Sequence, residues 1–283
     1  MAAAPAPSAW PPLMLAVAPN GAFKTRADHP AVPLTPQDLA ETAGTCLEAG
    51  ASMIHVHVRD AQGRHLLDAD AYRAAMDAIR RKVGGELVVQ ITSEAGKRYR
   101  APEQMAVVRA VHPEAVSVAL RELMPDAASE QGAAPFFEWL RREGIMTQVI
   151  LYAPEELSRY RELRRRGVLP QAPHQLLFVL GRYSQDQQSA PRDLLPFLEI
   201  LGDEPAHWSV CAFGQREAAC LTTAIALGGH ARTGFENNLR LPDGQLANDN
   251  AELVRFIAGQ ARSLARPLAR ASDLRAWQGQ CMS

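Results

Sequence analysis

Residues 52–58 read SMIHVHV, a run of apolar and β-branched residues typical of a buried β-strand. Helix-like stretches flank this strand at residues 36–49 and 69–83. They open with Thr35-Pro36 and Asp68, which are signals for a helix N-terminus. The same strand–helix unit recurs along the whole chain, so the number of units decides the architecture.

The alternation gives eight candidate strands, at residues 13–18, 52–58, 86–92, 115–120, 146–152, 175–180, 208–213 and 230–235. The helix-like stretches lie at residues 36–49, 69–83, 102–111, 134–143, 154–167, 191–201, 214–227 and 250–264. Eight such units in about 250 residues are the count and size of a (β/α)₈ TIM barrel. A doubly wound sheet is the main alternative, but it gives no reason for the count to stop at eight.

The chain shows no long Gly/Ser linker, so we expect a single α/β domain over residues 13–283. The preceding residues 1–12 are rich in Ala and Pro and are predicted to form a flexible tail. They lack the basic segment and continuous apolar core of a secretion signal.

The composition is that of an ordinary globular protein, with 283 residues, 47% hydrophobic and 22% charged. A net charge of −1 argues against a nucleic-acid or membrane-surface partner. No apolar run approaches the roughly 18–20 residues that a membrane span needs. The four cysteines (Cys46, Cys211, Cys220 and Cys281) show no CxxC spacing, so we expect reduced thiols and a cytoplasmic location.

Two histidines lie two residues apart in the second strand. Side chains alternate faces along a strand, so His55 and His57 point the same way and offer two imidazoles to one divalent cation. A packed or hydrogen-bonded pair is the alternative reading. Residues 230–238, HARTGFENN, supply a possible third ligand, because Arg232 and Glu236 are expected on one face of the eighth strand.

A barrel brings these segments together. Active sites in this fold lie at the carboxyl ends of the strands, and only strand one separates strands two and eight. His55, His57 and Glu236 would then form a His₂Glu set, which is typical of catalytic zinc but also accepts Fe²⁺ or another divalent metal. Zinc would polarise a carbonyl oxygen, and Arg232 could neutralise a substrate carboxylate. An ion pair between Arg232 and Glu236 inside the barrel is the alternative.

Further candidates follow other strands. Thr92 and Ser93 could donate hydrogen bonds to a carboxylate, and Glu94 follows them. Asn20-Gly21 follows strand one, and Arg121-Glu122 follows strand four. Taken singly, each of these also fits a turn or a packing role.

The chain resembles the β-keto acid cleavage enzymes, typified by the 3-keto-5-aminohexanoate cleavage enzyme. The resemblance covers about residues 13–270 and rests on APNGA at 18–22, TRAD at 25–28, GASMIHVHVRD at 50–60, QLLFVLG at 175–181 and GGHARTGFENN at 228–238. It implies a Zn²⁺-dependent (β/α)₈ barrel that condenses a β-keto acid with acetyl-CoA to give acetoacetate and a new acyl-CoA. It also implies a homo-oligomer, either a tetramer or a dimer.

Residue by residue, the resemblance places the metal ligands at His55, His57 and Glu236. It places a catalytic arginine at Arg232 and a substrate-binding hydroxyl at Thr92.

The sequence departs from the family at three positions. Phe23 and Asn237 stand where the family has carboxylates, and Glu122 stands where it has a threonine. Asn237 can form hydrogen bonds but cannot act as a base. We therefore expect Glu94 or Glu122 to act as the base.

The substrate-binding candidates are Thr92, Ser93, Asn20, Gly21, Asn237 and Arg121. Two other functions stay open at this point. One is a metal-dependent hydrolase or C–C lyase that acts on a small carboxylate without coenzyme A, and the other is a non-catalytic metal-containing barrel that binds a small acid.

Overall fold

A computed structural model describes residues 10–171 and 174–280. Eight parallel strands form the barrel: β1 (Leu15–Val17), β2 (Met53–Val56), β5 (Val88–Thr92), β6 (Ala115–Ala119), β7 (Met146–Leu151), β8 (Gln175–Leu180), β9 (Trp208–Ala212) and β10 (His230–Thr233). They close in the order β1-β10-β9-β8-β7-β6-β5-β2. The predicted single-domain (β/α)₈ barrel is therefore confirmed, with β1 paired to both β2 and β10 as expected.

A small antiparallel hairpin follows β2, with strands β3 (Val58–Arg59) and β4 (His65–Leu66). The prediction of one strand over residues 52–58 was wrong in this detail, because His57 lies in the gap between β2 and β3. Asn20 fills that gap by donating a hydrogen bond of 2.9 Å to the His57 carbonyl. The chain leaves the barrel sheet at this point.

Ten helices surround the barrel in the described part of the chain: α1 (Pro36–Ala49), α2 (Ala69–Val83), α3 (Ala101–Val111), α4 (Leu120–Leu123), α5 (Ala127–Arg142), α6 (Pro154–Arg165), α7 (Leu195–Leu201), α8 (Glu217–Ala226), α9 (Asn250–Ser263) and α10 (Ala271–Gln280). The predicted caps are present, since the side chains of Thr35 and Asp68 accept hydrogen bonds from backbone amides of the first turns of α1 and α2.

Three helical details differ from the sequence-based expectation. Helix α5 begins at Ala127 rather than near residue 134, because the Asp126 side chain caps it by accepting a hydrogen bond from the Ser129 amide. The segment predicted as one helix over 191–201 is a 3₁₀ turn, Pro191–Leu194, followed by α7. Helices α4 and α10 were not predicted.

The floor of the barrel is closed by apolar side chains. A buried cluster fills the amino-terminal end of the strands, and Leu274 of α10 packs into it from below. It contains Met14, just before β1, and the strand residues Ala16, Met53, Val88, Ala115 and Met146. The opposite end, where the strands finish, is the end that remains for a site.

The expectations for the amino-terminal tail, the cysteines and membrane spans can be compared with the described residues. Residues 1–9 of the predicted tail, and Cys281, lie outside the described residues. Cys46, Cys211 and Cys220 are free and buried. Among the described helices, none combines the length and apolarity that a bilayer span requires.

Candidate active site

Three potential metal-ligating atoms converge at the carboxyl end of the barrel. The Nε2 atoms of His55 and His57 lie 3.1 Å apart. Glu236 Oε2 lies 3.7 Å from His55 Nε2 and 3.5 Å from His57 Nε2. The structure therefore brings together the three residues that the spacing and topology predicted.

The orientation of His55 is set by a neighbour on β5. Its Nδ1 lies 2.8 Å from Gln90 Oε1, an acceptor, so Nδ1 carries the proton. Gln90 in turn donates to Gln148 at 3.4 Å, and Gln148 donates to Ser209 at 3.3 Å. This chain of amides leaves the Nε2 lone pair of His55 free to face the other two ligand atoms.

His57 is held through its backbone. Asn20, fully buried, accepts from the His57 amide and donates to its carbonyl. The Nδ1 atom of His57 has no hydrogen-bond partner among the described residues. Asn20, predicted to bind substrate, thus contacts the backbone of a ligand residue, and its amide also donates to the Pro33 carbonyl at 3.0 Å.

Glu236 reaches the site from a turn rather than from the strand face. The expectation that Arg232 and Glu236 share a face of one strand was wrong, because β10 ends at Thr233 and Gly234 turns the chain with φ +134°. A Cβ at Gly234 would overlap the carbonyl of Ala18. The turn still leaves Arg232 Nη2 3.2 Å from Glu236 Oε1.

Charges around Glu236 favour its ionised form. Burial opposes ionisation, but the Arg232 guanidinium opposes that effect in turn and holds the pKa of Glu236 well below its usual value. Burial holds the pKa of His57 well below its usual value. Burial lowers the pKa of His55 to about 4, with a further contribution from Arg232. The set therefore offers two neutral imidazoles and one carboxylate, which is the protonation state that a metal requires.

These residues fit a divalent cation. Ligands of a tetrahedral zinc ion, each about 2.0–2.1 Å from the metal, lie about 3.3 Å from one another. The observed separations of 3.1, 3.5 and 3.7 Å are close to that value. Glu236 Oε2 is buried without a hydrogen-bond partner among the described residues, as expected for an atom that a cation would satisfy.

Arg232 is buried beside the three ligand atoms. Its Nη2 contacts Cys211 Sγ at 3.4 Å in addition to Glu236. Its Nε and Nη1 have no partner in the described part of the chain. Burial opposes its charge, but Cys211 and Glu236 outweigh this effect and raise the pKa of Arg232 above its ordinary value. A permanent cation with unused donors thus faces the site.

Two of the candidate ligands, His55 and Glu236, line a cavity inside the carboxyl end of the barrel together with Arg232, and this cavity is here called the inner pocket. Its polar walls are His55, Thr92, Glu94, Arg182, Arg232 and Glu236. Its remaining walls are Ala119, Ile150, Tyr152, Val179 and Phe213. Cations, possible metal ligands and an apolar surface therefore share one enclosure.

A second, wider cleft adjoins the inner pocket and is here called the outer mouth. Residues lining only the outer mouth are Gly21, Ala22, Phe23, Lys24, Asp28, Lys97, Tyr183, Gln187 and Asn237. Four residues line both cavities and are here called the neck: Glu94, Arg182, Phe213 and Glu236.

Glu94 is the carboxylate of the neck that is free to act on a substrate. Its Oε2 lies 3.9 Å from His57 Nε2, and its Oε1 lies 3.8 Å from Arg182. Burial raises the pKa of Glu94 to about 7, and the Glu236 carboxylate adds to the shift. The second predicted base, Glu122, lies outside both cavities, where it accepts hydrogen bonds from the Ala95 amide and from Gln104.

The predicted substrate-binding residues divide into two groups. Thr92 lines the inner pocket, and Gly21 and Asn237 line the outer mouth. Both amide atoms of Asn237 are buried with no partner in the described ranges. The hydrogen-bonding capacity of this side chain is therefore unused among the described residues.

The second group is engaged elsewhere. Ser93 donates to the Ser117 carbonyl at 2.9 Å. Arg121 pairs with Glu156 and stacks on Tyr152 and Tyr183. Neither residue lines the inner pocket or the outer mouth.

The sequence-based reasoning missed Gln90 as the partner of His55, and it missed Arg182 and Tyr152 as pocket walls. Tyr152 and Arg182 follow the carboxyl ends of β7 and β8, a position that could have identified them. Gln90 is the central residue of β5, paired in register with His55 of β2, and that pairing is its signal.

Comparison with known proteins places this geometry in a family. The family described as "beta-keto acid cleavage enzyme" matches residues 12–279. A 3-keto-5-aminohexanoate cleavage enzyme from Fusobacterium nucleatum is 28% identical over 270 residues, covering 93% of this chain and 96% of that protein. A 3-oxoadipate:acetyl-CoA acetyltransferase from Cupriavidus necator is 26% identical over 276 residues, covering 95% of each.

Solved structures agree on the fold. The apo structure of ObcA superposes with a TM-score of 0.70 at 18% identity, covering 88% of this chain and 66% of ObcA. The 3-dehydroquinate dehydratase of Aquifex aeolicus gives 0.54 at 10% identity, covering 90% of this chain and 100% of that one. These likenesses concern the barrel. The match over residues 12–279 decides the family, and this chain belongs to the β-keto acid cleavage enzymes.

Proposed function

We propose that this chain is a zinc-dependent acyltransferase that acts on a β-keto acid and acetyl-CoA. The products are acetoacetate and the acyl-CoA of the remaining fragment. The bond between C2 and C3 of the keto acid breaks, and C2 forms a new bond to the acetyl carbon. The coenzyme A sulfur leaves that carbon and ends on C3 of the keto acid, so the exchange balances without water.

One observation carries this proposal: two members of the His₂Glu set, His55 and Glu236, line the same inner pocket as Arg232, whose Nε and Nη1 have no partner among the described residues. Zn²⁺ held by His55, His57 and Glu236 would act as a Lewis acid on a carbonyl oxygen. Fe²⁺ or another divalent ion is a further possibility for this ligand set. The named relative that acts on acetyl-CoA supports coenzyme A as the second substrate.

The chain's own residues have separate tasks in this scheme. Arg232 binds a substrate carboxylate through Nε and Nη1, the donors left without a partner in the described chain. Thr92 and Asn237 orient the bound acid. Glu94 takes up and returns the proton at the neck, because it borders both cavities, whereas Glu122 borders neither.

Turnover of two Glu→Gln variants tests whether Glu94 or Glu122 acts as the base. Glu94→Gln should lower turnover by at least ~10²-fold, the usual contribution of a general base, while Glu122→Gln should lower it much less. Steady-state rates with one keto acid and acetyl-CoA measure both. Equal activity of Glu94→Gln and the wild type would exclude Glu94 as the base.

The metal assignment is tested without activity. Zinc content after dialysis, measured by mass spectrometry, should be one ion per chain in the wild type. The double variant His55→Ala/His57→Ala should contain none, because it keeps one ligand of three. Stoichiometric zinc in the folded double variant would refute the site.

The reaction itself is tested by incubating the zinc-loaded protein with acetyl-CoA and a panel of β-keto acids. Mass spectrometry then follows acetoacetate and the new acyl-CoA. Products that need both substrates support the acyltransferase. Consumption of the keto acid without coenzyme A would instead indicate a hydrolase or C–C lyase, and binding without turnover would indicate a small-acid-binding barrel.

Assembly and location complete the proposal. We propose a homo-oligomer, either a tetramer or a dimer, in the cytoplasm. Sedimentation velocity of the purified protein measures the assembly state, and a monomer at micromolar concentration would contradict it.

A further inference from the structure

Arg182 follows β8 at the neck of the inner pocket and is not part of the scheme above. The chain turns at Gly181 with φ +79°, where a Cβ would lie 2.8 Å from the carbonyl of Gln188. The loop therefore doubles back directly after the strand. Arg182 is the first side chain after this turn, and it lines both the inner pocket and the outer mouth.

Two aromatic rings hold the Arg182 guanidinium. Its Cζ lies 5.5 Å from the centre of the Phe23 ring and 5.1 Å from that of Phe213. An aromatic face attracts a guanidinium through its π-electrons and leaves the N–H groups at the edge of the plane unused. Phe23 and Phe213 thus fix the position of the cation without satisfying its donors.

The donors of Arg182 remain available to a ligand. Its closest acidic neighbour is Glu94 Oε1 at 3.8 Å, beyond hydrogen-bond distance. Within residues 10–171 and 174–280, the guanidinium donates no hydrogen bond. Arg121 is a useful contrast, since it also stacks on two rings but donates to Glu156.

The charges of the inner pocket assign a role to these donors. Arg232 and the ligand set account for the reacting end of a keto acid under the proposed function. The other walls include Ala119, Ile150 and Val179, which are apolar, so Arg182 is the remaining cation of the pocket lining. We propose that Arg182 binds a second anionic group, a carboxylate at the far end of the keto acid, and thereby selects a β-keto dicarboxylic acid.

The Glu94 carboxyl group suggests the opposite alternative, in which the far end of the keto acid carries an ammonium group. Glu94 lies between two groups, however, with Arg182 at 3.8 Å on one oxygen and His57 at 3.9 Å on the other. An ammonium group placed there would face the charge of Arg182. The observation that favours an anion is the state of Arg182 itself, whose donors form no hydrogen bond in the described chain although Glu94 lies 3.8 Å away.

The inference rests on the proposed acyl transfer, and its test uses two matched acids. 3-Oxohexanedioate and 3-oxohexanoate have the same six-carbon chain and differ only in a terminal carboxylate or methyl group. With zinc and acetyl-CoA supplied, kcat/KM is measured for both acids in the wild type, Arg182→Gln and Arg182→Lys. Lys97→Gln is the control, because Lys97 is a cation of the outer mouth that does not line the inner pocket.

The wild type should prefer the dicarboxylic acid by about 10- to 100-fold, the scale of losing one charge-assisted contact in a buried site. Arg182→Gln should abolish the preference by raising KM for the dicarboxylic acid alone. Arg182→Lys should retain part of it, and Lys97→Gln should leave it intact.

Three results would overturn the inference. The wild type could prefer 3-oxohexanoate, Arg182→Gln could lower kcat/KM equally for both acids, or the main defect of Arg182→Gln could be a higher KM for acetyl-CoA. The last would assign Arg182 to a phosphate of coenzyme A. A wild type that turns over neither acid means failure of the proposed function instead. Calorimetric titration with hexanedioate and hexanoate then tests Arg182 alone, with tighter, Arg182-dependent binding of hexanedioate supporting the inference and equal binding refuting it.

Discussion

Gly21 occupies a position beside Glu236 that an L-residue with a side chain does not fit. Its φ is +57°, a conformation that glycine adopts readily, and an added Cβ would lie 2.6 Å from Glu236 Cγ. The glycine therefore permits the approach of the ligand carboxylate to the two histidines. Arg59 reinforces the arrangement by donating to the Gly21 carbonyl.

We expect Gly21→Ala to displace Glu236 and weaken zinc binding by about 10- to 100-fold, as loss of ligand orientation does in other metal sites. Competition with a zinc chelator measures the affinity. Gly63→Ala is the matched control, because Gly63 has φ +74° but no atom within 4 Å of an added Cβ. Equal zinc affinity in the two variants would show that the close approach at Gly21 does not orient Glu236.

At the scale of elements, the sequence predicts a strand well where its signals are local. Strand β8 was predicted to the residue, because the apolar run Gln175–Leu180 ends at Gly181, which must turn. The strand over 52–58 was predicted too long, since the contact that ends β2 comes from Asn20, 37 positions away. Such a contact exists only once the barrel has closed.

The residues of the candidate site likewise fall into those that the sequence could predict and those that it could not. Alternation along the strand predicted that His55 and His57 share a face, and barrel topology predicted that Glu236 lies near them, although it reaches the site from the turn after β10 rather than from a strand face. The role of Arg182 was not predictable from the sequence. Its position depends on the conformation of the loop after β8 and on stacking with Phe23, a residue far away along the chain near the amino terminus. The role of Gln90 also required the distance to His55 Nδ1.

Helix α10 was not predicted from the sequence, although it closes the floor of the barrel. Its pattern is short and largely polar, but Leu274 is fully buried against the strand ends that form the floor. We expect Leu274→Ala to lower the free energy of unfolding by about 2–5 kcal/mol, through lost burial and a cavity. Urea denaturation of the zinc-free protein measures this change.

Ser272→Ala is the control for that substitution, because Ser272 is exposed on the same helix. Its unfolding free energy should stay within about 0.5 kcal/mol of the wild type. A similarly small effect of Leu274→Ala would mean that α10 does not contribute to the closed floor.

At the scale of the whole molecule, buried ionisable groups couple the stability of the barrel to pH. Glu217, at the start of α8, is almost fully buried and accepts a hydrogen bond of 3.1 Å from Asn238. Burial raises the pKa of Glu217 to about 8, although Asn238, Thr233 and Arg232 each act to lower it. Cys211 and Cys220 also lie within range of its charge.

The sign of the effect follows from proton linkage. In the unfolded chain the Glu217 carboxyl has a pKa of about 4.3, so between that pH and about 8 the folded protein holds a proton that the unfolded chain releases. The contribution of this group to stability is complete below pH ~4 and declines as pH rises through the folded pKa. Within the range from about pH 4.3 to about 8, each pH unit lowers the free energy of unfolding by at most about 1.4 kcal/mol.

Glu217→Gln removes this proton and keeps the shape of the side chain. We expect the variant to become more stable relative to the wild type as pH rises from 5 to 8, because the free energy of unfolding of the wild type falls over that range and the introduced glutamine has no proton to lose. Urea denaturation at several pH values in EDTA measures it, since metal binding then contributes nothing and the buried histidines shift both proteins alike. Glu48→Gln, on an exposed position of α1, should run parallel to the wild type. A parallel profile for Glu217→Gln as well would show that Glu217 does not hold its proton in the folded barrel.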